Sequence, residues 1–332
     1  MKNLKLFFTI IFAICLVCDG RKAQSQNESM KLTASIALPD VNGRIDHLSY
    51  DATHQKLVIA ALGNNTVEIV DLTNQNVIYS IKHLSKPQGV AFIAGRNSFV
   101  VANGDTGSVD MYDAVSHQKT NSVQLSGDAD NVRYNPTNNR IYVGYGHGGI
   151  AVIDATTFKL LTDIKLSGHP ESFQIGKSAK KIYVNVPDTK QIEVIDVEKN
   201  AVVDRWAVTA ANSNYPMSLD ETNHRLFVGC RNEPILLIID AQTGKTMSSL
   251  PIDGDIDDIF YNAKRKEIYL SCGGGYIDVV KQIDADRYEL SGKIATSKGA
   301  RTSLFIPDLN QFIVASPSGF GTKASLLIYS LK

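Results

Sequence analysis

One motif recurs seven times along this chain, and no other feature constrains the fold as much. The strings KLVIAA (from Lys56), SFVVAN (Ser98), RIYVGY (Arg140), KIYVNV (Lys181), RLFVGC (Arg225), EIYLSC (Glu267) and QFIVAS (Gln311) are each a short β-rich run. Their openings are spaced 42, 42, 41, 44, 42 and 44 residues apart. Between them lie only turn residues and further β-rich runs, as in Arg140 to Leu166, which reads strand, Gly-rich turn, strand, Asp-led turn, strand. A regular period of this length built from strands alone predicts an all-β, seven-bladed β-propeller, each repeat being a four-stranded blade. Blades are expected to begin near residues 44, 87, 128, 169, 214, 255 and 299.

The ends of the chain decide how the ring closes. The seventh repeat runs out after its third strand, Leu326 to Leu331, while Leu32 to Leu38 precedes the first repeat and has no place in it. The expectation is that residues 32–38 pair beside 326–331 as the outermost strand of the last blade, leaving no open seam. Ahead of that strand, Lys2 and Lys5, the apolar run Leu6 to Val17 and the small-x-small site Ala23-Gln24-Ser25 read as a secretory signal over residues 1–25, followed by a single domain over 26–332. Export to the periplasm or outside the cell is therefore expected. A lipid anchor on Cys18 is the weaker alternative, because Cys15-Leu16-Val17 lacks a small residue just before the cysteine. No later segment is long and apolar enough to span a membrane.

Charge and cysteine content narrow the function classes. The 34 basic and 34 acidic residues become 30 and 33 once Lys2, Lys5, Arg21, Lys22 and Asp19 leave with the signal, a net charge of −3. That balance gives no reason to expect nucleic acid as a partner; a monomer is expected. Only Cys230 and Cys272 remain. They occupy matching positions in consecutive repeats, too far apart for a bridge, and read as two half-buried thiols.

Five repeats carry an apolar residue followed by aspartate: Val70-Asp71, Tyr112-Asp113, Ile153-Asp154, Ile195-Asp196 and Ile239-Asp240. A residue repeated at strand ends is a turn former, not a catalyst. The strings RIYVGY…IAVIDATTFKLLTDIKL and KIYVNV…IEVIDVEKNAVVD resemble the YVTN-repeat family, the YncE-like β-propellers of secreted and surface bacterial proteins, from about Gly43 to the C-terminus. The resemblance implies the fold and a bacterial exported protein, and carries no agreed catalytic motif. A weaker likeness extends to propeller lactonases and gluconolactonase-type hydrolases.

No Gly-x-Ser-x-Gly elbow, His-Glu-x-x-His helix, phosphate loop or heme-attachment motif is present. The chemistry lies in a column ten residues before each motif opening: Asp46, Gln88, Asp130, Glu171, Tyr215, Asp257 and Arg301, all polar. Two residues on, Leu48, Val90, Val132, Phe173, Met217, Ile259 and Ser303 are almost wholly apolar. In a propeller these segments start the innermost strands, so the polar column should ring one mouth of the central channel. His47, Asn131, Ser172 and Asp258 follow the ring residues, Arg44, Lys86, Asp128, His169 and Asp255 precede them, and the hairpin residues Asn64, Asp105, His147, Asp188 and Arg231 should rise on the same face.

Four carboxylates and one arginine make a net-negative ring. At about 10 Å each like-charge pair costs roughly 0.4 kcal/mol in water and about 1.7 kcal/mol at an effective dielectric of 20, so a partly closed mouth calls for a cation. Two readings follow. The first is a non-catalytic binding protein in which Asp46, Asp130, Glu171 and Asp257 take a cation or donor, Arg301 an anion, and His47, Asn131, Gln88, Tyr215 and Asp258 orient a small polar ligand or protein segment. The second is a metal-assisted lactonase-type hydrolase, with Asp46, Asp130, Glu171 and Asp257 as candidate calcium or magnesium ligands and His47 or Asp257 as base. No cofactor motif is evident. The triplet Asp253, Asp255, Asp257 is not an EF-type loop, because Asp258 stands where glycine is needed and Lys264 where glutamate is needed.

Overall fold

In the computed structural model, residues 29–319 and 321–332 are described; the expected signal over residues 1–25, with Cys15 and Cys18, lies outside them. Seven four-stranded antiparallel sheets form the ring of a β-propeller. In blade 1 the order is Leu48–Asp51, Lys56–Ala61, Thr66–Asp71, Asn76–Ile81, from the channel outward. Blade 3 repeats it with Ala129–Asn135, Arg140–Tyr145, Gly149–Asp154 and Leu160–Lys165. The innermost strands of the other blades are Pro87–Ile93, Phe173–Ile175, Asn212–Asp220, Ile256–Asn262 and Thr302–Ile306.

The repeated motif is the second strand of every blade, and it reads as a continuous apolar run because both of its faces are buried. Side chains alternate sides along a strand. In blade 3, Ile141, Val143 and Tyr145 pack toward blade 2, while Tyr142 packs toward blade 4. The third strand does the same, with Ala151 and Ile153 on one side and Ile150 and Val152 on the other. The core is therefore seven apolar clusters, one in each inter-blade interface.

Closure follows the expected route. Met30–Ala37 pairs antiparallel with Ser325–Leu331 as the outer strand of blade 7, two residues longer at its start than the sequence suggests. Ile36 and Leu38 then complete the cluster between blades 7 and 1. Among the described residues no helix is long and apolar enough to cross a membrane.

Each outer hairpin shifts register once. The shift falls at Ile69/Val70, Met111/Tyr112, Val152/Ile153, Val194/Ile195, Ile238/Ile239 and Val279/Val280, and at Leu32/Ala34 in the last blade. An extra residue at this point increases twist and turns the outer edge away from its neighbour. The aspartates do what their position implies: Asp154 Oδ1 accepts the backbone N–H of Thr156 at 2.9 Å and of Thr157 at 2.7 Å. Asp71, Asp113, Asp196 and Asp240 make the same pair of bonds. In blade 6, where Lys281 replaces the landmark, Asp284 takes over the turn.

Most of the stretch from Arg205 to Asn214 belongs to Ala201–Ala207 and Asn212–Asp220. Its Trp206 packs against Tyr183 and donates to Asp204 at 2.8 Å. Cys230 and Cys272 are free, as expected, but fully buried instead of half-buried.

Candidate functional site

The inner strands are edge strands whose first residues surround the channel. Asp46, Glu171 and Arg301 lie just before theirs, and Gln88, Asp130, Asn131, Tyr215, Asp257 and Asp258 lie within theirs. Backbone bonds fix the approach: Asp46 N–H donates to Ala60 O at 2.7 Å and Glu171 N–H to Asn185 O at 3.0 Å, tying each residue to its own second strand. His47 N–H donates to Gln88 O at 3.3 Å, joining blade 1 to blade 2. Gly89 makes room for the approach of the next inner strand, that of blade 3, to blade 2. A Cβ there would sit 1.9 Å from the carbonyl oxygen of Asp130.

The ring is not the simple acidic collar its sequence suggests. Arg44 reaches Asp46 at 3.0 Å. Arg301 bridges Asp255 at 2.8 Å and Asp257 at 3.0 Å. Arg231, rising from the blade 5 hairpin, pairs with Asp257 and lies 4.2 Å over the ring of Tyr215. Gln88 donates to Asp128 at 3.2 Å. The Asp46 and Asp257 quadrants are thus compensated by guanidinium groups.

Asp130 and Glu171 are not. Among the described residues neither has an Arg or Lys within ion-pair distance; the nearest basic group to Asp130 is His47 Nε2 at 3.7 Å. Asp130 Oδ1 and the adjacent Asn131 Oδ1 are buried and accept no hydrogen bond from the protein. Burial, reinforced by the charges of Asp46 and Glu171, pushes the Asp130 acid well above the ordinary carboxylate range. Burial and the neighbouring Asp257 push Glu171 up to about 8. Burial, with repulsion from Arg133 and Arg44, pulls His47 down to about 4, so it is neutral at physiological pH and does not compensate Asp130.

Inside the mouth the channel holds a cavity of about 380 Å³. His47, Ser172 and Asp258, each one residue beyond the ring, line it. Asp258 therefore faces the interior and not the rim, its Oδ2 accepting the Ser303 N–H at 2.7 Å. The column three residues beyond the ring also lines the cavity: Ser49, Ala91, Arg133, Gln174, Ser218, Phe260 and Leu304. Arg133 is its one charged member, and it was not among the residues singled out from the sequence. Its guanidinium lies 5.5 Å over Phe173 and donates to Val132 O at 2.9 Å. Among the described residues no group of three or more His, Cys, Asp or Glu side chains is arranged to hold a metal ion.

No protein-family model matches this chain, and no curated protein matches it. Solved structures do. It is similar to a chain of Kuenenia stuttgartiensis hydrazine synthase, with TM-score 0.75 and 15% identity over 93% of this chain and 98% of that one. It is also similar to a chain of a mitotic checkpoint complex, with TM-score 0.75 and 12% identity over 100% of this chain and 99% of that one. At such identities the likeness carries the propeller fold alone. An enzyme and a checkpoint assembly share that fold, so function must be argued from the site.

Proposed function

We propose that this chain is an exported binding propeller that holds a small polar ligand at the channel mouth through a cationic or hydrogen-bond-donating group. Asp130 and Glu171 carry the reading. They are two carboxyl groups in neighbouring blades at a concave mouth, with no Arg or Lys within ion-pair distance among the described residues, in a ring whose other acids are paired. Leaving such groups desolvated and unpaired costs stability that a ligand can recover. The signal-like N-terminus and the YVTN-type repeats support export. The metal-assisted hydrolase has no comparable observation behind it.

The test is a thermal-shift screen of amines and small cationic metabolites. Wild type should melt higher with at least one of them, and Asp130→Ala/Glu171→Ala should lose that response while remaining folded. A response that survives in the double variant rejects the site. Export is tested separately by the mass of the secreted protein, which should begin at Gln26.

A further inference from the structure

Arg133 is the strongest unexplained group in the molecule. It lines the channel cavity, is partly stripped of water, and among the described residues has no carboxylate within ion-pair distance. Its contacts are a backbone carbonyl and an aromatic face, and neither supplies a negative charge. The acids nearest it electrostatically are Asp258 and Asp130. Asp258 accepts the Ser303 N–H, and burial raises both acids well above their ordinary value, which disfavours their charged forms. A guanidinium in this setting is a seat for an anion, because its planar fork matches a carboxylate.

The approach to this seat carries complementary groups. Anything reaching Arg133 from this mouth passes Asp130 and Glu171, which among the described residues have no Arg or Lys within ion-pair distance, so an ammonium group finds partners there that a simple anion does not. Both seats are filled by one molecule with an anionic leading end and a cationic trailing end. We propose that the channel binds a small zwitterionic amino carboxylate, its carboxylate on Arg133 inside the cavity and its ammonium between Asp130 and Glu171 at the mouth. This rests on the mouth reading above and adds the ligand class. His47 marks the passage between the two seats, lining the cavity while lying 3.7 Å from Asp130. Arg133 and Asp130 are three residues apart on one strand, roughly 10 Å at an extended rise. The register shift between Ala129 and Val132 shortens that span. An extended ligand is therefore favoured over a compact one.

The experiment is calorimetric titration of the full chain with straight-chain ω-amino carboxylates from glycine to 8-aminooctanoate, beside alkylamines and alkyl carboxylates of equal length. Affinity should peak at an intermediate length, and the best amino carboxylate should bind at least tenfold tighter than its amine or acid counterpart. Arg133→Met should reduce it to the level of the amine, with Arg133→Lys between the two. Should Arg133→Met not fold, Arg133→Gln replaces it. If amines bind through Asp130 and Glu171 and the Arg133 variants change nothing, the zwitterion proposal falls and the mouth reading stands. If plain carboxylates bind through Arg133 and Asp130→Asn/Glu171→Gln has no effect, the mouth reading falls and takes the proposal with it. Absence of binding across all three series rejects both.

Discussion

A partly buried carboxyl with no cation within ion-pair distance holds its proton more tightly, and Glu171 shows what that does to stability. Its acid group moves from an ordinary 4.5 to about 8, through burial first and Asp257 second, opposed by Arg231 and Arg44. Between those values the folded protein holds a proton that the unfolded chain has lost. Its stabilising share is therefore full below about pH 4.5 and fades as pH rises toward 8. Melting temperature of Glu171→Gln should accordingly fall less than that of wild type across this window; superimposable curves would count against a desolvated, unpaired Glu171. Asp130 contributes in the same direction. Gly89 gives a second residue-scale prediction. With an alanine Cβ 1.9 Å from Asp130 O, the blade 2 and blade 3 inner strands must separate. Gly89→Ala should thus cost about 1–3 kcal/mol, the range for overpacking, in chemical denaturation, and weaken ligand binding as well; a neutral Gly89→Ala would show that this contact gives way freely. At this scale the sequence was only partly legible. The polar ring residues were recoverable by counting back from a repeated motif, because a ring places equivalent positions together. The Arg44 and Arg231 pairings were not, because they depend on side-chain reach from a strand entrance and a hairpin. Arg133 escaped because the column containing Ser49, Ala91 and Phe260 reads as ordinary strand interior. Only the channel, open on that side, distinguishes it.

Each blade is an element that cannot bury its faces alone. The strands were legible because two buried faces force an apolar run at the same place in every repeat, and the turn aspartates because two N–H groups need an acceptor at each strand end. The outer register shifts were not, since an extra residue leaves no compositional trace. Asp154→Ala removes two such bonds from an exposed turn and should cost about 1 kcal/mol in denaturant unfolding; a change near zero would mean that water replaces the carboxylate at no cost. Those bonds hold the acids of Asp71, Asp113, Asp154 and Asp196 below their ordinary range. Their contribution is present above that range and is lost as pH falls, opposite in sign to that of Glu171. The N-terminal strand is the element whose removal matters most. Without Met30–Ala37, blade 7 loses its outer strand and the cluster between blades 7 and 1 loses Ile36 and Leu38. A chain beginning at residue 39 should unfold at markedly lower denaturant concentration than one beginning at residue 26. Equal midpoints would show that the ring does not depend on this strand.

At the scale of the whole molecule, ring closure turns seven similar repeats into one channel with chemically different walls. The scaffold repeats because every interface has the same task, whereas the mouth residues differ from blade to blade. Its charged quadrants sort accordingly, with Asp46 and Asp257 neutralised by arginines, Asp130 and Glu171 left open, and Arg133 standing alone inside. The central claim is that the open pair receives a cation, and its most direct measurement is proton release on binding. Titrating n-pentylamine into the protein at pH 7 in two buffers of different ionisation heat should show a proton passing from Glu171 to the buffer as the ammonium arrives, with neither binding nor release in Asp130→Asn/Glu171→Gln. Binding of equal strength in the double variant, or binding without proton release in wild type, would contradict the account.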